Sequence, residues 1–105
     1  MDIQKFYNIW LKAKESGQPL TLIDVRSASE FNSGHVPGAR LITLQTIPLK
    51  TAEIDASTTV YMICQMGGRS AQAMDFLVRQ AGFHDVVNID GGTQAWRQQG
   101  YPLEV

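Results

Sequence analysis

One cysteine occurs in this chain, and it stands where a short apolar run meets a glycine-bearing turn: Val60–Tyr61–Met62–Ile63–Cys64–Gln65–Met66–Gly67–Gly68–Arg69–Ser70. The run is rich in strand-favouring side chains, six residues from Cys64 to Arg69 turn the chain, and a helical pattern begins at Ser70. A strand–loop–helix junction of this kind aims several backbone N–H groups inward and adds the positive end of a helix dipole. With a cysteine at the edge of that cradle, the anion it holds is the cysteine's own thiolate, which is the reactive form of the group. A lone cysteine is more often a small buried hydrophobe. The position of Cys64, ahead of a Gly-rich loop and a helix, favours a nucleophile instead.

The other loop residues take roles from the same geometry. Gly67 and Gly68 are both expected to supply the positive φ that a tight anion-facing loop needs. Gln65 and Met66 are expected to face the pocket mouth, with Met66 offering an apolar contact to an incoming thiol. Arg69 has three open roles: attracting an anionic donor, lowering the Cys64 pKa, or pairing with a carboxylate that holds the loop. For that last role both Glu30 and Asp24 remain open. Asp24 and Arg26 fall at a second strand end and read as hydrogen-bonding anchors of neighbouring loops. His35 invites a general-base role, but its Gly–His–Val–Pro–Gly setting favours a ring hydrogen bond to backbone, and a preformed thiolate needs no base. His84 reads as a surface residue before a strand. Gly91–Gly92 reads as a turn, since a lone glycine pair is more often that than a phosphate site.

The elements that must position these groups are legible in order. Ile3, Phe6, Ile9, Trp10 and Ala13 recur at helical spacing, with Asp2 as N-cap and Gly17 and Pro19 as the stop. Leu20 to Val25 is a short, nearly continuous apolar strand, as expected where both faces are covered. Arg26 to Phe31 can form a short helix, with Ser27 and Glu30 at capping-box spacing. Leu41–Thr43 reads as a brief strand, Leu44 to Lys50 as an irregular or short helical link, and Ala52 to Thr58 as loop. Thr59 to Ile63 is the strand that delivers Cys64. The helix from Ser70 presents Ala73, Met74, Leu77, Val78 and Ala81 on one face and stops at Gly82. Val86 to Ile89 is the last strand, and Thr93 is expected to cap a final helix over Gln94 to Gln99. Trp96 and Tyr101 read as core and closing contacts. Strands alternating with helices at these lengths predict an α/β fold with a parallel sheet. Reactive groups in such sheets gather beyond the carboxyl ends of the strands. No repeat, linker or low-complexity stretch divides the chain, so residues 1–105 are expected to form one domain.

Composition bounds the function. With 105 residues the chain can bury a core without staples. A hydrophobic content of 44%, a charged content of 18% and a formal net charge of -1 leave no footprint for nucleic acid or an anionic membrane surface. One cysteine excludes an internal disulfide. It also excludes a thiolate metal cluster, and the two histidines are far apart in sequence, so no metal and no cofactor are expected. Neither a signal peptide nor a membrane-length apolar run is present, which predicts a reducing, cytoplasmic setting. Nothing requires more than a monomer.

Four pieces of the chain together resemble the single-domain rhodanese-like sulfurtransferases. They are Leu22–Arg26 with Glu30–Phe31; Gly34–Ala39; Cys64–Ser70; and Asp90–Gly92 with Ala95–Trp96 and Gly100–Pro102. Each piece is weak alone, but the four in this order and spacing are specific and span nearly the whole chain. The resemblance implies a five-stranded, mainly parallel sheet with helices on both faces. It also implies Cys64 as nucleophile, with the amides of Gln65 to Arg69 around its sulfur and Gln65 to Ser70 forming the substrate-binding loop. Related phosphatases and arsenate reductases of this fold use a loop one residue longer, so the six-residue form favours sulfur transfer over dephosphorylation. The implied reaction moves a sulfane sulfur from thiosulfate or another persulfide donor to cyanide or a thiol through a Cys64 persulfide. A sulfur-carrier protein is a further partner in that scheme. An interaction module with little turnover is the alternative of a different class, and retention of Cys64 argues against it. A phosphatase or arsenate reductase is disfavoured by loop length.

Overall fold

A computed structural model describes residues 1–105. The first helix, α1 (Ile3–Ser16), is capped at both ends by the residues expected to do so. Asp2 Oδ1 accepts from the amides of Gln4 (2.8 Å) and Lys5 (3.1 Å), and Gly17 turns left-handed at φ 71°. Its apolar stripe buries Phe6 and Trp10. Strand β1 (Thr21–Asp24) follows, then α2 (Ala28–Asn32), which opens on a full capping box between Ser27 and Glu30. Strand β2 is only Arg40–Leu41, and a 3₁₀ helix over Leu44–Leu49 leads away from it. Strand β3 (Val60–Ile63) runs into α3 (Gly68–Arg79), and β4 (Val86–Asn88) into α4 (Gly92–Gln98).

The strands form one parallel sheet in the order β2-β1-β3-β4. It has four strands, where the family resemblance implied five. One further pairing, between His35 and Glu104, is a single antiparallel bridge outside these strands. His35 N donates to Glu104 O at 2.8 Å and Glu104 N to His35 O at 2.9 Å. Pro37 and Pro102, each two residues from the bridge, have no N–H to extend it.

Side-chain alternation divides the core into two layers. Leu22, Tyr61 and Ile63 face α1 and α4 and pack with Phe6, Trp10, Ile89 and Trp96. Ile23, Val25, Val60 and Met62 face the other way, with Ile42, Ile47, Ala73 and Leu77. Along β3 the second set continues Val60, Met62, Cys64, because successive residues of a strand point to opposite faces. Register parity therefore turns the sulfur toward the start of α3. Asp24 pairs with Ile63 across β1 and β3. The chain leaves β1 and β3 toward opposite edges, so Asp24 and Cys64 lie at the switch point where such sheets place ligands.

The segment read as loop over Ala52 to Thr58 opens on a 3₁₀ turn at Thr51–Glu53, and several strand and helix ends shift by a residue or two. Three differences bear on the site. The helix after the loop starts at Gly68, two residues before Ser70, because Gly67 makes the left-handed turn that admits it. That helix ends at Arg79, short of Gly82, whose φ is 77°. The last helix starts at Gly92 with Gly91 before it, so Thr93 is no cap: it lies inside the first turn, fully buried.

Candidate active site

Cys64 is 1% exposed, yet its sulfur has polar neighbours. The Gly67 amide donates to Sγ at 3.0 Å, and the Ser70 hydroxyl stands 3.3 Å from it. Burial pushes the thiol's pKa up. The Ser70 hydroxyl and the amides of Ser70, Gly67 and Met66 together outweigh that and leave it below its ordinary value. Hydrogen bonds lead this depression, and no guanidinium is among its principal causes.

The loop owes its shape to one glycine. Gly67 has φ 113°, whereas Gly68 has no positive φ and begins the helix normally. The expectation that both glycines would be left-handed is thus corrected. Once the chain has turned at Gly67, the helical conformation begins at once, and Ala71 N already bonds back to Gly67 O at 3.1 Å.

Arg69, in the first turn of α3, forms a two-pronged pair with Glu30, Nη1 to Oε1 at 2.7 Å and Nη2 to Oε2 at 2.8 Å. The Arg69 guanidinium, together with Ser27, overcomes partial burial and holds the Glu30 carboxyl down to about 2. Asp24, the other candidate partner, is occupied by Arg26, whose Nε and Nη2 both donate to it (3.0, 3.1 and 2.9 Å). Asp24 and Arg26 are 0% and 1% exposed. Arg26 also donates to Gly34 O at 2.8 Å and reaches Gln65 Oε1 at 3.4 Å, tying three loops together. His35 stacks on Phe31, ring centroids 3.7 Å apart, with Nδ1 2.9 Å from Phe31 O. Its ring is therefore committed to the α2 turn. Met66, by contrast, is 68% exposed.

Two features escaped the sequence reading. Asn88, at the end of β4, accepts from the Ser70 hydroxyl at 2.5 Å and donates to Gly67 O at 3.3 Å. Ser70 has one hydroxyl hydrogen, so Asn88, the sulfur and the Gly67 carbonyl at 3.2 Å compete for it. A polar residue closing the strand beside that of Cys64 was the available signal. The second feature is the start of α4. The amides of Thr93 and Gln94 donate to the carbonyls of Cys64 (2.8 Å) and Gln65 (3.0 Å), bracing the loop from behind. Gly92 makes this approach possible, with φ 57° and no room for a Cβ against the Cys64 carbonyl oxygen. The Thr93 hydroxyl itself has no hydrogen-bond partner. No group of His, Cys, Asp and Glu side chains is placed to hold a metal.

A parallel sheet with a cysteine-headed amide loop at its switch point defines a class, and the chain belongs to it: the rhodanese-like domain family, which matches residues 8–99. It is 34% identical over 86 residues to a sulfurtransferase of Allochromatium vinosum, covering 82% of this chain and 79% of the relative. It is 36% identical over 96 residues to the thiosulfate sulfurtransferase GlpE of Pseudomonas putida, covering 90% and 81%. A probable adenylyltransferase/sulfurtransferase MoeZ of Mycobacterium tuberculosis is 39% identical over 95 residues, but these span only 23% of MoeZ. Among solved structures, a rhodanese-like domain protein from Staphylococcus aureus superposes with a TM-score of 0.84 at 31% identity, over 100% of this chain and 95% of that one. These relatives support a rhodanese-type sulfurtransferase in general.

Proposed function

We propose that residues 1–105 act as one rhodanese domain that carries sulfane sulfur on Cys64. The thiolate attacks the outer sulfur of thiosulfate or of another persulfide donor, the donor's S–S bond breaks, and a Cys64 persulfide remains. A thiol, a sulfur-carrier protein or cyanide then takes that sulfur and restores the thiolate, which makes the kinetics ping-pong. Both half-reactions concentrate negative charge on sulfur at the centre of the loop, where fixed N–H dipoles stabilise it without reorganising. The single observation that carries this reading is the Gly67 amide aimed at Sγ at 3.0 Å, with the Ser70 hydroxyl beside it. A free thiol that must stay reduced between turnovers suits a cytoplasmic monomer. No helix is long and apolar enough to cross a membrane.

The test is sulfur loading. After incubation with thiosulfate or glutathione persulfide, intact mass should show one added sulfur, lost again as thiocyanate on adding cyanide. Cys64→Ala should show none. Loading that survives in Cys64→Ala, or hydrolysis of an aryl phosphate without any loading, would overturn the proposal.

A further inference from the structure

We propose that the donor for which this site is built is an organic persulfide, R–S–S–H, in preference to thiosulfate. The inference rests on the sulfur-transfer reading above and concerns what stands outside the cradle, where the donor's leaving group must sit.

Thiosulfate brings a sulfonate group to that place and releases a sulfite dianion, so it needs a cation at the mouth. The guanidiniums beside the loop are both taken. Arg69 is bound at both ends by the Glu30 carboxylate, at 2.7 and 2.8 Å. Arg26 is buried on Asp24, with its remaining donors reaching Gly34 O and Gln65 Oε1. Each pair sums to zero charge, and Glu30, held down to about 2, keeps its negative charge at any working pH. A third guanidinium, Arg97, has no carboxylate partner. It packs against Gly34, with no hydrogen bond to the loop. At the apex of the loop stands a thioether, Met66, 68% exposed.

The paired side chains of this rim cancel in charge, and its tip is apolar. It repays a leaving group that carries carbon rather than a second charge, because a flexible, polarisable methionine packs against varied apolar surfaces. The exchange balances without a further reactant. The Cys64 thiolate forms a bond to the outer sulfur of R–S–S–H as the donor's S–S bond breaks. The electron pair of that bond leaves on R–S⁻, and Cys64 becomes Cys64–S–S–H. The Cys64 sulfur is oxidised to the persulfide level, and the donor sulfur is reduced to a thiolate.

The experiment compares single-turnover loading of the full chain by thiosulfate and by the persulfide of N-acetylcysteine amide, a neutral thiol, both read by intact mass. Repulsion between the Cys64 thiolate and the thiosulfate dianion, with no unpaired guanidinium among Arg26 and Arg69 to offset it, corresponds to a preference of about 100-fold for the organic persulfide. Intrinsic donor reactivity is removed by following the ratio of the two rates through variants. Glu30→Gln keeps an acceptor for the Ser27 amide, because glutamine also completes a capping box, but it releases the Arg69 charge. It should shift the ratio toward thiosulfate by about tenfold, with the gain shrinking as salt screens the freed cation. Met66→Lys adds a cation at the rim without touching Glu30 and should shift the ratio the same way. Equal loading by the two donors in the parent protein would overturn the inference, as would an unchanged ratio in both variants, while leaving sulfur transfer intact. If neither donor loads Cys64, the sulfur-transfer reading falls, and this inference with it.

Discussion

At the scale of single residues, the sulfur is tuned by hydrogen bonds more than by a neighbouring charge. Ser70 Oγ is 3.3 Å from Sγ and heads the causes that lower the thiol's pKa. Ser70→Ala should therefore raise that pKa and slow alkylation by iodoacetamide at neutral pH, with the midpoint of the rate–pH profile moving toward the free-thiol value of about 8.5. An unmoved midpoint would assign the depression to the backbone amides alone. Arg69 and Glu30 act as one unit with a pH signature of its own. Glu30 titrates lower folded than unfolded, so an unfolded chain binds more protons than the native one between pH 4.5 and about 2. Its contribution is complete above pH 4.5 and is lost as pH falls toward 2. The pair is partly exposed, with side chains 38% and 33% accessible, so screening reduces it to about 1 kcal/mol or less. Glu30→Gln should then be less stable than the parent at pH 7 by about that amount, and the gap measured by urea unfolding should close by pH 2.

At the scale of elements, two glycines that look alike in the sequence have opposite requirements. Gly67 sits at φ 113° with the Gly91 amide 3.6 Å from where a Cβ would stand, whereas Gly68 has open space and an ordinary φ. Gly67→Ala should lose about 1 kcal/mol or more and misplace the amide that meets the sulfur. Gly68→Ala should match or exceed parent stability, by up to about 1 kcal/mol. Thermal melts of the two variants decide this, and equal losses would contradict the assignment of the turn to Gly67. The start of α4 acts at the same scale. A Cβ on Gly92 would collide with the Cys64 carbonyl, a backbone atom that cannot swing aside as a side chain can. Gly92→Ala should depress sulfur loading together with stability, because the loop and its brace move as one.

At the scale of the whole molecule, the buried Asp24–Arg26 pair joins β1, the Gly34 turn and the loop after β3. Removing one partner strands the other without solvent, at a cost of about 3–5 kcal/mol. Asp24→Ala should consequently unfold at markedly lower urea, while loss of loading without loss of stability would place Asp24 in the chemistry. Much of this organisation was legible beforehand. Local patterning sufficed for α1 with its Asp2 and Gly17 caps, the Ser27–Glu30 capping box, the order of strands and helices, and the cysteine loop, because each rests on contacts within a few residues. The amino-acid sequence by itself determined the class of fold, the family and the placing of one thiol ahead of a helix. Only the tertiary structure decided that Arg69 pairs with Glu30 while Asp24 is held by Arg26, that Asn88 shares the Ser70 hydrogen, and that α4 braces the loop. The physical reason is distance along the chain: Arg69 and Glu30, Ser70 and Asn88, and α4 and the loop stand far apart in sequence, and the sheet's strand order and register bring them together. Asp24 and Arg26 are near neighbours, but only their shared burial decides that they pair with each other.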